Sequence, residues 1–116
     1  MSLAQAPPPY TISTFAGNGS LIGGYTGDGG AAASATLNGP ADVIFDSSGN
    51  LYISDTINNR IREVNTSGSI NTIAGNGTAG FAGDGSSATA SATELNKPSG
   101  MAFDSSSNLY FADTDN

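Results

Sequence analysis

The stretch LNGPADVIFDSSGNLYISDT, residues 37–56, returns with few changes as LNKPSGMAFDSSSNLYFADT, residues 95–114. The two copies align without a gap, and Phe103 follows Phe45 by 103 − 45 = 58 positions. Self-similarity at a fixed spacing is typical of architectures that stack one supersecondary unit on the next. The sequence therefore predicts two copies of one structural module.

Glycine-rich segments repeat together with the modules, and we call residues 17–37 the first connector and residues 75–95 the second connector. Gly27-Asp28-Gly29 returns as Gly83-Asp84-Gly85, with a spacing of 84 − 28 = 56 positions. A difference of two residues from the main period is tolerated in surface loops and rarely elsewhere. These segments are therefore expected to be loops between modules.

The second connector also contains a G-x-G-x-x-G pattern at Gly75, Gly77 and Gly80. A dinucleotide site needs a helix that begins directly at this loop and directs its N-terminus at the pyrophosphate. The first connector lacks the third glycine, and small residues that predict at most a short helical turn follow in both copies (31–37 and 86–95). The pattern indicates a connector and not a cofactor loop.

Short apolar runs alternate with Gly, Asn and Ser turns inside each module, which is typical of strands. The predicted strands of the first module are 42–45, 51–54, 60–64 and 69–74, those of the second lie within 98–112, and residues 10–16 are predicted as a lone strand. Both parities of the strand 42–45 are apolar, which predicts burial on two faces. Ser107 replaces Gly49 in the turn of the second copy, so that turn is expected to cost more.

The run NLYISDTINNRIR, residues 50–62, resembles the NHL repeat in its strand ending in Asp-Thr and its Asn-x-Arg-Ile element. The resemblance extends over nearly the whole chain after about residue 10. It implies an all-β fold, namely a β-propeller fragment of four-stranded antiparallel blades whose parent is six-bladed, and the long links resemble a bacterial version of the family. Such propellers are generally used for binding.

The resemblance also predicts one incomplete propeller domain. Residues 1–9 would be an N-terminal tail, and residues 10–58 would hold the fourth strand of a preceding blade, a connector and two strands of blade 1. Residues 59–116 would hold the rest of blade 1, a second connector and two strands of blade 2. A propeller protects its edges by closing, so this segment is expected to be part of a longer chain and to self-associate through unpaired blade edges.

Composition restricts the partners of the chain. Three basic residues oppose ten acidic ones, for a net charge of −7. Nucleic acid and anionic membranes are poor partners for such a surface, since binding to phosphates depends on Lys and Arg. The absence of Cys and His removes thiolate sites and the commonest general base. Ala4-Gln5-Ala6 resembles the tail of a secretory cleavage site, which predicts an extracytoplasmic or secreted protein.

Five residues are candidates for a ligand or partner face: Asp28, Asp84, Asp55, Asp113 and Arg60. The two Gly-Asp-Gly aspartates would rim a calcium or sugar-hydroxyl site, or alternatively cap tight turns. The Asp-Thr aspartates and the arginine would tie a turn together through side-chain to backbone bonds, or contact a ligand. Asp46-x-Ser48-x-Asn50 echoes a calcium loop, but position twelve is Ile57 and a hairpin turn is the better interpretation.

The leading functional hypothesis is a non-catalytic binding or scaffold module for a protein or small-molecule ligand. Under this hypothesis no cofactor, catalytic residue or metal ligand is assigned, and calcium binding is kept as an alternative. One alternative is part of a metal-dependent propeller hydrolase or lyase whose catalytic residues lie mostly in other blades. Lyases that resemble this family use His, which this chain lacks, whereas lactonase-like propellers hold calcium with carboxylates and Asn. A second alternative is a self-assembling repeat fragment with a structural role.

Overall fold

The computed structural model describes residues 11–116, so the predicted tail and Tyr10 lie outside the described residues. Six strands and two single-turn 3-10 helices are present in that range. The strands are β1 (Asp42–Phe45), β2 (Leu51–Asp55), β3 (Arg60–Val64), β4 (Ile70–Ala74), β5 (Pro98–Phe103) and β6 (Leu109–Asp113), and the 3-10 helices are Ala32–Ser34 and Thr56–Asn58. Within residues 11–116, no helix has the length and apolar character that a membrane crossing requires.

The strands form two antiparallel sheets. The first contains four strands in the order β1-β2-β3-β4, and the second contains β5 and β6. The all-β class and the four-stranded antiparallel meander are therefore confirmed, with strand bounds within two residues of the predictions. Neither sheet closes on itself. The predicted short helical turn appears in the first connector, at Ala32–Ser34.

The same turn closes the first hairpin of each module. The Asp46 carboxylate accepts hydrogen bonds from the backbone N–H groups of Ser48 and Asn50, both at 2.9 Å. Asp104 accepts the equivalent bonds at 2.8 and 2.9 Å. Gly49 has a φ of +90° and Ser107 a φ of +65°, so the serine adopts a left-handed conformation that favours glycine. The hairpin interpretation of this segment is confirmed.

The two faces of the first sheet pack against different elements. On one face, Leu51, Ile53, Val64 and Ile70 pack against Ala32 and Ala35 of the first connector. On the other face, Ile61 and Ala74 pack with Leu95 of the second connector and with apolar residues of β5 and β6. The first module therefore fills the space between its own connector and the second module.

Two expectations were wrong: the burial of β1 on both faces and a lone strand at residues 10–16. Val43 and Phe45 of β1 are 55% and 61% exposed, so β1 is not buried on both faces. Phe15 covers Phe45 only edge-on, with ring centroids 6.5 Å apart. Residues 11–16 form no strand, because no strand in the described part of the chain pairs with them to supply hydrogen bonds.

Candidate functional site

A buried arginine joins the first connector to the first sheet. The register of β3 against β4 shifts between Ile61 and Arg62, and the two consecutive side chains are both fully buried. The extra residue of this bulge is Ile73 of β4, so β3 keeps its regular alternation and directs Ile61 and Arg62 to opposite faces of the sheet. The Arg62 side chain is thereby placed under the connector and not in solvent.

All five N–H donors of the Arg62 guanidinium have acceptors. Asp28 Oδ1 accepts from Nη2 at 2.9 Å and from Nε at 3.2 Å, and Asp55 Oδ2 accepts from Nη1 at 3.1 Å. The carbonyl oxygens of Thr26 and Thr36 accept the remaining bonds at 3.0 and 3.3 Å. The planar guanidinium matches this fork of acceptors, which a lysine cannot do. We call Arg62 with Asp28 and Asp55 the arginine site.

Asp55 is fully buried, and its carboxylate is shared among three groups. Oδ1 accepts from the backbone N–H of Asn38 at 2.7 Å, and Oδ2 accepts from Asn58 Nδ2 at 2.8 Å as well as from Arg62. Burial of a carboxylate is tolerated only when such partners replace its hydration. In the first module this aspartate connects the end of β2 to the connector and to β3.

An aromatic ring completes the arginine site. The Tyr25 ring centroid lies 3.7 Å from the guanidinium carbon of Arg60 and 4.7 Å from that of Arg62, in cation–π geometry. The Tyr25 hydroxyl donates to the Asp28 carboxylate. Burial would raise the pKa of Asp28, but hydrogen bonds from Tyr25 and Thr72 and the charge of Arg62 outweigh it and lower that pKa.

Arg60 is bonded to the second connector. Its Nη1 donates to the carbonyl of Gly75 at 3.3 Å, and its Nη2 donates to that of Asn76 at 2.6 Å. These are side-chain to backbone bonds, but they reach residues 75–76 and do not tie together the turn that precedes Arg60. Arg60 thus belongs to the same cluster as Tyr25 and Arg62.

The remaining two candidates lie together in the second module. Asp84 and Asp113 line a groove of about 470 Å³ that also contains Phe81 and Asn116. Asp113 Oδ1 accepts from the backbone N–H of Asn96 at 2.6 Å, and Oδ2 accepts from Asn116 Nδ2. The five predicted residues therefore fall into two clusters, one in each module.

The turn-cap interpretation of the Gly-Asp-Gly aspartates was wrong for the first copy. That turn is closed by the backbone bond from Gly30 N to the carbonyl of Gly27 at 2.9 Å, and the Asp28 carboxylate is directed at Arg62. Arg62, Tyr25 and Phe81 were not recognised as site residues from sequence. A signal was present, because Phe81 follows Tyr25 by the same 56 positions that separate the two aspartates.

The described residues contain no group of three or more His, Cys, Asp or Glu side chains arranged to hold a metal ion. In the first module the two carboxylates are bound to the guanidinium instead. Calcium prefers several oxygen ligands that are free to coordinate it. The geometry of the arginine site suits the binding of a guanidinium.

Comparisons with known proteins add a likeness of fold. No family model matches the chain, and no curated protein matches it. Nine chains of solved structures match. One, from Bacteroides thetaiotaomicron VPI-5482 and described as a "Putative phosphatase", has a TM-score of 0.60 and 22% identity over 84% of this chain and 23% of that chain. This chain thus spans about a quarter of that protein's length, and the likeness concerns the fold alone.

Proposed function

We propose that the chain is a segment of a bacterial NHL-type β-propeller, with a six-bladed parent, that serves outside the cytoplasm as a non-catalytic binding or scaffold module. The four-stranded antiparallel sheet and the repeat of 58 positions support this proposal. Such modules bury their flat faces against their neighbours. The exposed module faces are the surfaces on which it binds a partner.

The packing of the second sheet on the first is the observation that carries the proposal. The rings of Tyr52 in β2 and Phe103 in β5 meet edge-to-face with centroids 5.1 Å apart. The Asp42 carboxylate accepts from the backbone N–H of Met101 at 2.9 Å. A module of this chain thus binds another module face to face, through aromatic packing and hydrogen bonds.

The counterparts of the two packed rings are exposed. Phe45 stands 58 positions before Phe103, and Tyr110 stands 58 positions after Tyr52, and both are 61% exposed. One copy of the chain can therefore place its Tyr110 face on the Phe45 face of another, repeating the internal interface. Gly100 stands at the counterpart position of Asp42, so this contact lacks the carboxylate hydrogen bond and is expected to be weaker than the internal one.

Light scattering coupled to size-exclusion chromatography tests the proposal over a range of protein concentrations. We expect the average mass of the native chain to rise above that of a monomer with concentration, and F45S to lower it. L21S is the matched control, since Leu21 is fully exposed and lies in the connector. A native chain that stays monomeric at the highest concentration, or an equal effect of both substitutions, would contradict the proposal.

The phosphatase description is not carried over to this chain. It belongs to a protein of which this chain matches 23%.

A further inference from the structure

Three Asn-x-Ser/Thr sequences occur in the chain, and they begin at Asn18, Asn65 and Asn76. This pattern is the acceptor sequence for N-linked glycans, and it is used where it lies on a surface loop of an exported protein. The three sequences differ in the residue that precedes them, in their place in the fold and in the partners of the asparagine side chain. These differences single out Asn65.

An acidic residue distinguishes the sequence at Asn65. The bacterial form of N-glycosylation requires a carboxylate two positions before the acceptor asparagine, where it pairs with a cationic side chain of the enzyme. Glu63 occupies that position and is partly exposed in β3. Ala16 and Ala74 occupy it before the other two asparagines. Residues 63–67, EVNTS, thus form the one complete bacterial acceptor sequence in the chain.

The fold places this sequence on a hairpin turn at the surface. Asn65 follows β3, and the turn towards β4 is closed by a backbone bond from Gly68 N to the Asn65 carbonyl at 2.9 Å. Thr66, Ser67 and Gly68 are exposed. A Cβ added at Gly68 would meet no atom within 4 Å. An enzyme can therefore reach the acceptor while the sheet stays folded.

The side-chain nitrogen of Asn65 is available for reaction. Asn65 Oδ1 accepts from Ser67 N at 3.0 Å and from Ser69 N at 3.1 Å, whereas its Nδ2 has no acceptor among residues 11–116. The side-chain nitrogens of Asn18 and Asn76 instead donate to oxygen atoms of the connectors, at 3.3 and 2.8 Å. The turn thus orders Asn65 through its oxygen and leaves the nucleophilic nitrogen without a partner in the described part of the chain.

We propose that Asn65 is the acceptor of an N-linked glycan, transferred from an oligosaccharide that is carried on a polyprenyl diphosphate. Asn65 Nδ2 forms a bond to the anomeric carbon of the first sugar, and the bond from that carbon to the diphosphate oxygen breaks. The diphosphate leaves with the electron pair, and the amide loses one proton to a base of the enzyme. Glu63 binds the enzyme, and Ser67 completes the acceptor sequence.

This inference rests on the extracytoplasmic placement in the proposed function, because the lipid-linked donor is used outside the cytoplasm. A reaction with purified components supplies the enzyme and the donor directly. Its outcome therefore depends neither on export nor on self-association of the chain. Failure of the reaction would remove the glycan site and leave the light-scattering test of the propeller proposal unaffected.

Glycosylation in vitro tests the site. The purified native chain is incubated with a bacterial oligosaccharyltransferase that requires the acidic residue, together with its polyprenyl-diphosphate oligosaccharide. Intact-mass spectrometry counts the glycans, and peptide fragmentation locates them. We expect one glycan per chain, on Asn65, and none on Asn18 or Asn76. Circular dichroism of the chain before and after transfer should be the same, because the turn presents the acceptor without unfolding.

Substitutions in the turn separate the acceptor sequence from simple exposure. N65Q and S67A should abolish the glycan, and E63Q should slow its transfer at least about tenfold, because the contact with the enzyme loses its charge. T66A is the matched control, since it changes the same turn and leaves the pattern intact, and it should react at the native rate. An unmodified native chain, a glycan on another asparagine, or equal rates for E63Q and the native chain would overturn the proposal.

Discussion

The Asp28 carboxylate lies 2.9 Å from the Arg62 guanidinium, although 34 residues separate the two in sequence. The bond joins the middle of a glycine-rich connector to the third strand of the sheet. Because Arg62 also binds Asp55, one side chain fixes the connector, the end of β2 and strand β3 together.

Replacing Arg62 should therefore destabilise the whole first module. R62M leaves Asp55 buried without its counter-ion, and breaking such a pair typically costs about 3–5 kcal/mol. Urea unfolding monitored by circular dichroism measures the loss. K97M is the control, because the exposed Lys97–Asp115 pair should contribute less than about 1 kcal/mol. A loss with R62M no larger than that with K97M would contradict the role assigned to this arginine.

The equivalent tyrosines should differ in their contribution to stability. Tyr52 packs on Phe103 between the two sheets, and burial raises its pKa, whereas Tyr110 is 61% exposed. We expect Y52A to lower the free energy of unfolding by about 2–3 kcal/mol and Y110A by less than about 1 kcal/mol. Both are measured by urea unfolding of the monomer. Equal losses would show that the inter-sheet contact does not stabilise the fold.

The hairpin turns offer a reciprocal pair of substitutions. S107G should stabilise the chain by up to about 1 kcal/mol and G49S should destabilise it by a similar amount, because both positions have positive φ. Differential scanning calorimetry of the two variants and the native chain compares them directly. The same sign of effect for both substitutions would refute this explanation.

Acid should destabilise the chain through the aspartates of the turns and of the arginine site. Hydrogen bonds from Asn50 and Asn108 lower the pKa values of Asp46 and Asp104, and the pKa of Asp28 is also lowered. A lowered pKa stabilises the folded state above the unfolded-state value, about 3.8, and this stabilisation is lost as the pH falls below it. The melting temperature should therefore be level from pH 7 to 5 and fall below about pH 4. The melting temperature of the D46N variant should fall less over this pH range than that of the native chain. Identical profiles for the two proteins would contradict the prediction.

Calcium should leave the melting temperature unchanged at millimolar concentration. One oxygen of each of Asp28 and Asp55 accepts from Arg62, and the other accepts from Tyr25 or from the backbone of Asn38. A ligand raises stability only by binding the folded state. Magnesium chloride at equal ionic strength is the control. A calcium-specific rise that EDTA reverses would favour the hydrolase or lyase alternative.

The sequence predicted the strands well because their signal is local. Asp46 and Gly49 mark the hairpin turn by their own backbone chemistry, and the copy at Asp104 repeats it. The burial of β1 was predicted wrongly, since the exposure of Val43 and Phe45 depends on what packs on the sheet and not on their own apolarity. The role of Arg62 was missed because it depends on the connector that covers this face of the sheet and on Asp28, which no local pattern connects to it.

The second groove shows which contacts of the aspartate loop are independent of an arginine. Asp113 is held by Asn96 and Asn116 in the same way that Asp55 is held by Asn38 and Asn58, and it lacks a guanidinium partner among the described residues. Asparagine bonds alone therefore orient the aspartate in the second module, so Arg62 is not needed to shape the Asp55 loop. What the arginine adds is an attachment of β3 to the connector, which apolar packing and backbone bonds otherwise hold on this face.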